Sequence, residues 1–158
     1  VDGSLGSKEA VSIVPAVVKK ARDFDGTVFF TRDTHGENYM ETQEGKYLPV
    51  AHCVRGTDGW ELIPELEELK DSRKAQCFDK PSVALAEALR AMYEAGELES
   101  VELVGLCTDI CVVSNALLIK AFMPELPVSV DASCCAGVTP EKHAAALETM
   151  RSCQIQIL

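Results

Sequence analysis

Short β-branched or aromatic runs alternate with helix-patterned segments along this 158-residue chain, and that alternation restricts its fold more than any other feature. Thr27-Val28-Phe29-Phe30-Thr31 reads as a buried strand, and Ala75 to Phe78, Val101 to Leu106, Val128-Ser129-Val130 and the closing segment Cys153 to Leu158 read as further strands. Helical patterns lie between them. Residues 8–22 place Val11, Val14, Val18 and Ala21 on one face behind a capping Ser7. Residues 60–69 form a short acidic helix interrupted at Pro64, and Ser82 caps a helix with Leu85, Leu89 and Met92 on one face, ending near Gly96. Asp109 to Ala121 reads as an apolar helix, and Thr139-Pro140 opens another by the cap-then-proline rule. Strands joined through helices imply crossover connections, a mostly parallel sheet and helices on both faces. The expected class is α/β, a Rossmann-like three-layer α/β/α sandwich in a single domain over residues 1–158.

Composition excludes several roles. Hydrophobic residues make up 47% of the chain, enough for a packed core, and the net charge of -10 argues against nucleic acid or an anionic membrane as partner. No apolar run approaches the length of a membrane span, and no signal peptide opens the chain. The seven cysteines form no C-x-x-C pair, so they read as reduced thiols of a cytoplasmic protein.

In parallel α/β sheets, ligands bind beyond the carboxyl ends of the strands. The chemistry is therefore expected in residues 32–57, 78–82 and 105–112. The first of these is a long polar loop with Gly36, Gly45, Pro49 and Gly56, and long loops in compact domains are usually functional. In the third, Cys111 falls where a strand turns into a helix. A helix N-terminus favours the thiolate, and its unpartnered N–H groups can stabilise an oxyanion. The plain alternative is a small residue packing the first turn of a buried helix.

Gly105-Leu106-Cys107-Thr108-Asp109-Ile110-Cys111-Val112 resembles the G-x-x-T-D-x-C-V signature of the isochorismatase-like cysteine hydrolases, which include nicotinamidases. Asp131-Ala132-Ser133 and Thr139-Pro140-Glu141-Lys142-His143 resemble that family's last loop and helix, so the similarity runs across nearly the whole chain. The resemblance implies that Cys111 attacks an amide carbonyl and that the backbone N–H groups of Cys107 and Cys111 form the oxyanion hole. It also implies a cis peptide bond before Cys107.

Asp33 and His35 in Thr31-Arg32-Asp33-Thr34-His35, with His52 later in the loop, form a weak metal signal on spacing alone, and a solvated loop is the plain reading. An oxygen and imidazole set suits zinc, manganese or iron. The segment is similar to the nicotinamidase motif T-R-D-x-H, and Pro49 to Thr57 is similar to P-x-H-C-x-x-G-T with one extra residue. The resemblance implies a divalent metal, zinc foremost, held by Asp33, His35 and His52. Where many members add a histidine, this chain has none, so Glu41 is the expected further ligand and Glu44 the reserve.

Phe78-Asp79-Lys80 matches the family's F-x-K motif, which implies an ammonium at Lys80 that favours the thiolate. The family's proton-accepting aspartate precedes a V-x-G-S-L stretch. The sequence begins at that stretch, without Met, so we expect a first strand and the aspartate ahead of Val1, and read the domain as N-terminally incomplete. The function implied is nicotinamide hydrolysis to nicotinate and ammonia through a thioester, feeding NAD salvage, in a homo-oligomer with a small-molecule amide as substrate. Three rivals stand beside it: an amidase of the same family acting on a ureido, carbamoyl or other amide, a non-catalytic binding protein, and a redox sensor using Cys107 and Cys111.

Overall fold

A computed structural model describes residues 3–80 and 85–158, with side chains described for 3–80 and 89–158. The expected cap Ser82 and the side chain of Leu85 lie outside the described residues. Among the described residues no helix is long and apolar enough to cross a membrane.

Two compact units emerge. One contains residues 18–80. Helix α1 (Lys8–Asp23) ends in it, with Val18 and Ala21 buried, whereas Val11, expected on the same face, is exposed. Strand β1 (Phe29–Asp33) runs two residues later than its β-branched pattern suggested, because parallel pairing with β2 (Gln76–Lys80) sets its limits. That register carries Asp33 opposite Lys80. The polar stretch between them is not all loop. Residues 32–57 contain a three-ten turn (Tyr39–Glu41) and the short helix α2 (Gln43–Tyr47), and α3 (Pro64–Arg73) follows where a helix over 60–69 was expected. Pro64 starts α3 rather than interrupting it, since its missing N–H costs nothing in a first turn. Arg73 then donates to the carbonyls of Ala21, Arg22, Phe24 and Gly26, which closes the chain end of α1.

The other unit contains the first half of α1 and residues 85–158. Its sheet orders β3 (Val101–Leu106), β4 (Val128–Ala136) and β5 (Gln156–Ile157), every pair parallel. Helix α4 (Leu85–Glu94) precedes it, α5 (Val113–Phe122) links β3 to β4 and α6 (Pro140–Ser152) links β4 to β5. Ala116 and Ile119 on α5, Met123 just after it, and Ala146, Leu147 and Met150 on α6 are buried with Val128 and Val130. Burial of each large member contributes roughly 1.5–3 kcal/mol. β4 is three times the length expected of it, and its register against β3 shifts between Leu103 and Gly105. Asp131 in this stretch is buried, and its Oδ1 accepts from Ser133 N at 3.0 Å and Ser133 Oγ at 2.6 Å.

The hydrogen-bonded strands thus form two parallel sheets, β1–β2 and β3–β4–β5, in a mixed α/β fold. β5 keeps only two residues of the six expected.

Candidate active site

His35 follows β1 by two residues. Its N–H donates to the Cys53 carbonyl at 2.9 Å and its own carbonyl accepts from Arg55 N at 3.0 Å, so His35 and Val54 form an isolated parallel bridge. His52 is thereby brought beside His35, with ring centroids 4.9 Å apart. The Nδ1 of His52 lies 2.8 Å from the Val50 carbonyl. A carbonyl only accepts, so Nδ1 carries the proton and Nε2 presents its lone pair. Glu44 Oε1 lies 3.7 Å from His52 Nε2 and 3.8 Å from His35 Nε2. The three donor atoms all lie within 4.8 Å of one another.

His35 Nε2 is buried and has no hydrogen-bond partner. An orphaned imidazole nitrogen, a second imidazole of fixed tautomer and a carboxylate together fit a divalent metal such as zinc better than they fit one another. Glu44 enters this group because Thr42 ends the three-ten turn in an extended conformation and restarts the chain as α2, its hydroxyl oxygen accepting from Gly45 N at 3.0 Å. Gly45 is required there: a Cβ would collide with the Tyr39 carbonyl and crowd Met40 Cα at 2.9 Å. Glu41, the expected ligand, lies on the turn outside the group, and the reserve Glu44, exposed like Glu41, lies within it. Asp33 is likewise outside the three; its carboxylate is bound by Lys80 Nζ.

Lys80 closes β2 almost wholly buried, and Asp33 provides the counter-charge such an ammonium needs. The Lys80 carbonyl also accepts from Thr34 N at 3.0 Å. The neighbouring Asp79 carboxylate accepts from Arg32 Nε at 2.6 Å and an Arg55 guanidinium N–H at 2.8 Å. The Arg32 bond, aided by Arg55, holds its carboxyl below the ordinary carboxylate range.

Tyr39 and Trp60 carried no sequence signal. Tyr39 is 1% exposed, with its ring 4.8 Å from that of His35 and 5.0 Å from that of His52, and its hydroxyl donates to the Leu48 carbonyl at 2.9 Å. Burial, with Glu44 adding to it, pushes its phenol above the ordinary value. Trp60 donates its indole N–H to Thr34 Oγ1 at 2.8 Å. Neither contact has a fixed spacing along the chain, so no pattern could have announced it.

Beyond β3 the peptide bond from Leu106 to Cys107 is cis, as the resemblance implied. Residues Thr108–Val112 then form a widened π turn ahead of α5, where a continuous α-helix from Asp109 was expected. Ile110 N and Val112 N both donate to the Cys107 carbonyl, at 3.1 and 3.0 Å. π turns inside helices recur at functional sites. Cys111 is half-buried on this turn, at the entrance to a helix whose N-terminal end favours a thiolate.

The rest of the motif anchors the turn. Thr108 is fully buried, with Oγ1 2.8 Å from His143 Nδ1 on α6. Asp109 Oδ1 accepts from Val138 N at 2.9 Å, and Asn115 Nδ2 donates to the Cys111 carbonyl at 2.9 Å. Gly137 permits the close approach: a Cβ there would lie 2.8 Å from Asp109 Oδ1 and 2.9 Å from both Cβ and N of His143.

All seven cysteines are thiols. Cys134 and Cys135 are buried in β4, and burial pushes the Cys135 thiol up to about 12.

A family model described as an isochorismatase domain matches residues 1–158. Among solved structures, a pyrazinamidase/nicotinamidase from Streptococcus mutans is similar at a TM-score of 0.84 and 28% identity, covering 99% of this chain and 91% of that one. A nicotinamidase from Bacillus subtilis is similar at 0.80 and 26%, covering 98% and 89%. A pyrazinamidase of Pyrococcus horikoshii in complex with zinc is similar at 0.75 and 27%, covering 99% and 89%. No curated protein matches the sequence.

Proposed function

The chain belongs to the isochorismatase domain family, and on that premise we propose that it is a cysteine amidohydrolase converting nicotinamide and water to nicotinate and ammonia. The observation that carries the choice of nicotinamide is the His35–Glu44–His52 group, because a family amidase acting on amides without a ring nitrogen has no use for it. The solved relatives named as nicotinamidases and pyrazinamidases, one of them in complex with zinc, support the same reading. A divalent metal held by these three residues would supply a Lewis acid that accepts the pyridine nitrogen of the substrate.

The chain's own residues account for the remaining chemistry. The Cys111 thiolate attacks the carboxamide carbon, and the oxyanion is assigned to the N–H groups of Cys107 and Cys111. The carbon–nitrogen bond then breaks, the nitrogen leaves as ammonia with the proton taken from the thiol, and a thioester remains. Water hydrolyses the thioester to nicotinate and restores the thiol. Lys80 takes the role of the family's lysine in favouring the thiolate, and the family's aspartate would carry the proton.

Ammonia release from nicotinamide, set against a panel of ureido, carbamoyl and aliphatic amides, tests the proposal. Nicotinamide is expected to be turned over fastest, and Cys111→Ala to abolish turnover while zinc content stays that of the wild type. Release from other amides but not from nicotinamide overturns the substrate assignment, and full turnover by Cys111→Ala overturns the mechanism.

A further inference from the structure

Trp60 is the only tryptophan in the chain, and its surroundings carry an inference that rests on the metal reading above. Its indole N–H donates to the hydroxyl of Thr34, which is 8% exposed and stands between Asp33 and His35. Its backbone N–H donates to the Thr57 carbonyl at 2.9 Å, and Thr57 donates through N and Oγ1 to the Val54 carbonyl at 3.1 and 2.7 Å. Val54 is the residue bridged to His35. One residue therefore grips both sides of that bridge, just ahead of His35 on one side and just after His52 on the other.

The ring itself is fixed from a different direction. The Arg32 guanidinium lies over it, 3.4 Å from the centroid, and that of Arg55 lies 5.4 Å away. Asp79 binds both guanidinium groups, and Glu61 accepts from Arg32 at 2.9 Å. With its plane held by these charges, the indole has one N–H direction to offer, and Thr34 occupies it.

We propose that Trp60 is a positioning residue for the metal group: through Thr34 it sets the aim of His35 toward Glu44 and His52. A tryptophan present only to fill space would need its ring and not its donor. Trp60→Phe separates the two, because the phenyl ring keeps the face beneath Arg32 and loses the N–H. Zinc affinity, measured by competition with a chromophoric chelator, is expected to weaken on the order of fivefold in Trp60→Phe, as loss of one neutral hydrogen bond implies. Thr34→Val should show the same loss, the double variant no further loss, and Thr34→Ser should retain wild-type affinity. In the wild type the indole emission should change as zinc is added, and it should not change in His52→Ala. Wild-type zinc affinity in Trp60→Phe overturns this inference alone, as does a fall in thermal stability with zinc affinity unchanged. A wild-type chain that takes up no zinc, or whose uptake survives His52→Ala, overturns the metal reading and this inference with it.

Discussion

The stretch between β1 and α3 and the turn after β3 hold their functional groups by different means. In the first, contacts between side chains are laid over the backbone bridge from His35 to Val54: Tyr39 stands against both histidine rings, Glu44 faces both Nε2 atoms, and Trp60 holds Thr34. In the second, apart from the Thr108–His143 pair, the contacts end on backbone groups. The Cys107 carbonyl takes two N–H groups, Asp109 takes the Val138 N–H, and Asn115 binds the Cys111 carbonyl. A group held by side chains is loosened one contact at a time. A turn held through its backbone moves as a unit, because one displaced peptide shifts every donor that depends on it.

The sharpest way to break this contrast is Gly137→Ala. The added carbon meets the carboxylate of Asp109, which belongs to the Cys111 turn, and the backbone of His143 on α6. A displacement of about an ångström at a nucleophile costs roughly a hundredfold in turnover, so kcat on nicotinamide should fall by about that factor while zinc affinity holds. Equal loss of zinc would show that the two regions are not independent.

A smaller effect is expected on the other side. Glu44→Gln should weaken zinc binding by about tenfold, the size of loss typical when a metal's carboxylate surroundings are altered, and leave the alkylation rate of Cys111 unchanged. Glu41→Gln should do neither. A zinc loss in Glu41→Gln and none in Glu44→Gln would give the ligand role to Glu41.

The smallest effect concerns the thiols. Burial raises Cys135 from its ordinary 9.0 to about 12, so the neutral thiol is the form the fold favours. The stability this lends is complete below pH 9 and is lost as pH rises from there toward 12, because the unfolded chain ionises first. Under native, mildly alkaline conditions iodoacetamide should label the exposed Cys153 and spare Cys134 and Cys135, as read by peptide mass spectrometry.

The same contrast explains what could be read from the sequence. β3 was legible residue for residue, since Val101, Leu103, Val104 and Leu106 make a mostly apolar run between turn signals. The Cys111 turn was legible because its determinants are contiguous: Thr108 and Asp109 anchor it, and Gly105 to Val112 spells it out. Its π geometry was not, because no residue type demands a widened turn. In the loop, His35 and His52 were legible as types, but which glutamate lies beside them was not, because that depends on where Thr42 restarts the helix. β1 was misplaced by two residues for a comparable reason: its limits belong to its pairing with β2 and not to its own composition.

The bridge from His35 to Val54 has one more consequence. Drawing the two ends of residues 36–53 together carries an entropy cost that a disordered loop would charge to whatever bound there. Here the polypeptide meets that cost when it folds. A divalent ion bound between the two imidazoles, as proposed, would find its ligands already assembled, and more of the coordination energy would be left to set affinity and discriminate among metals.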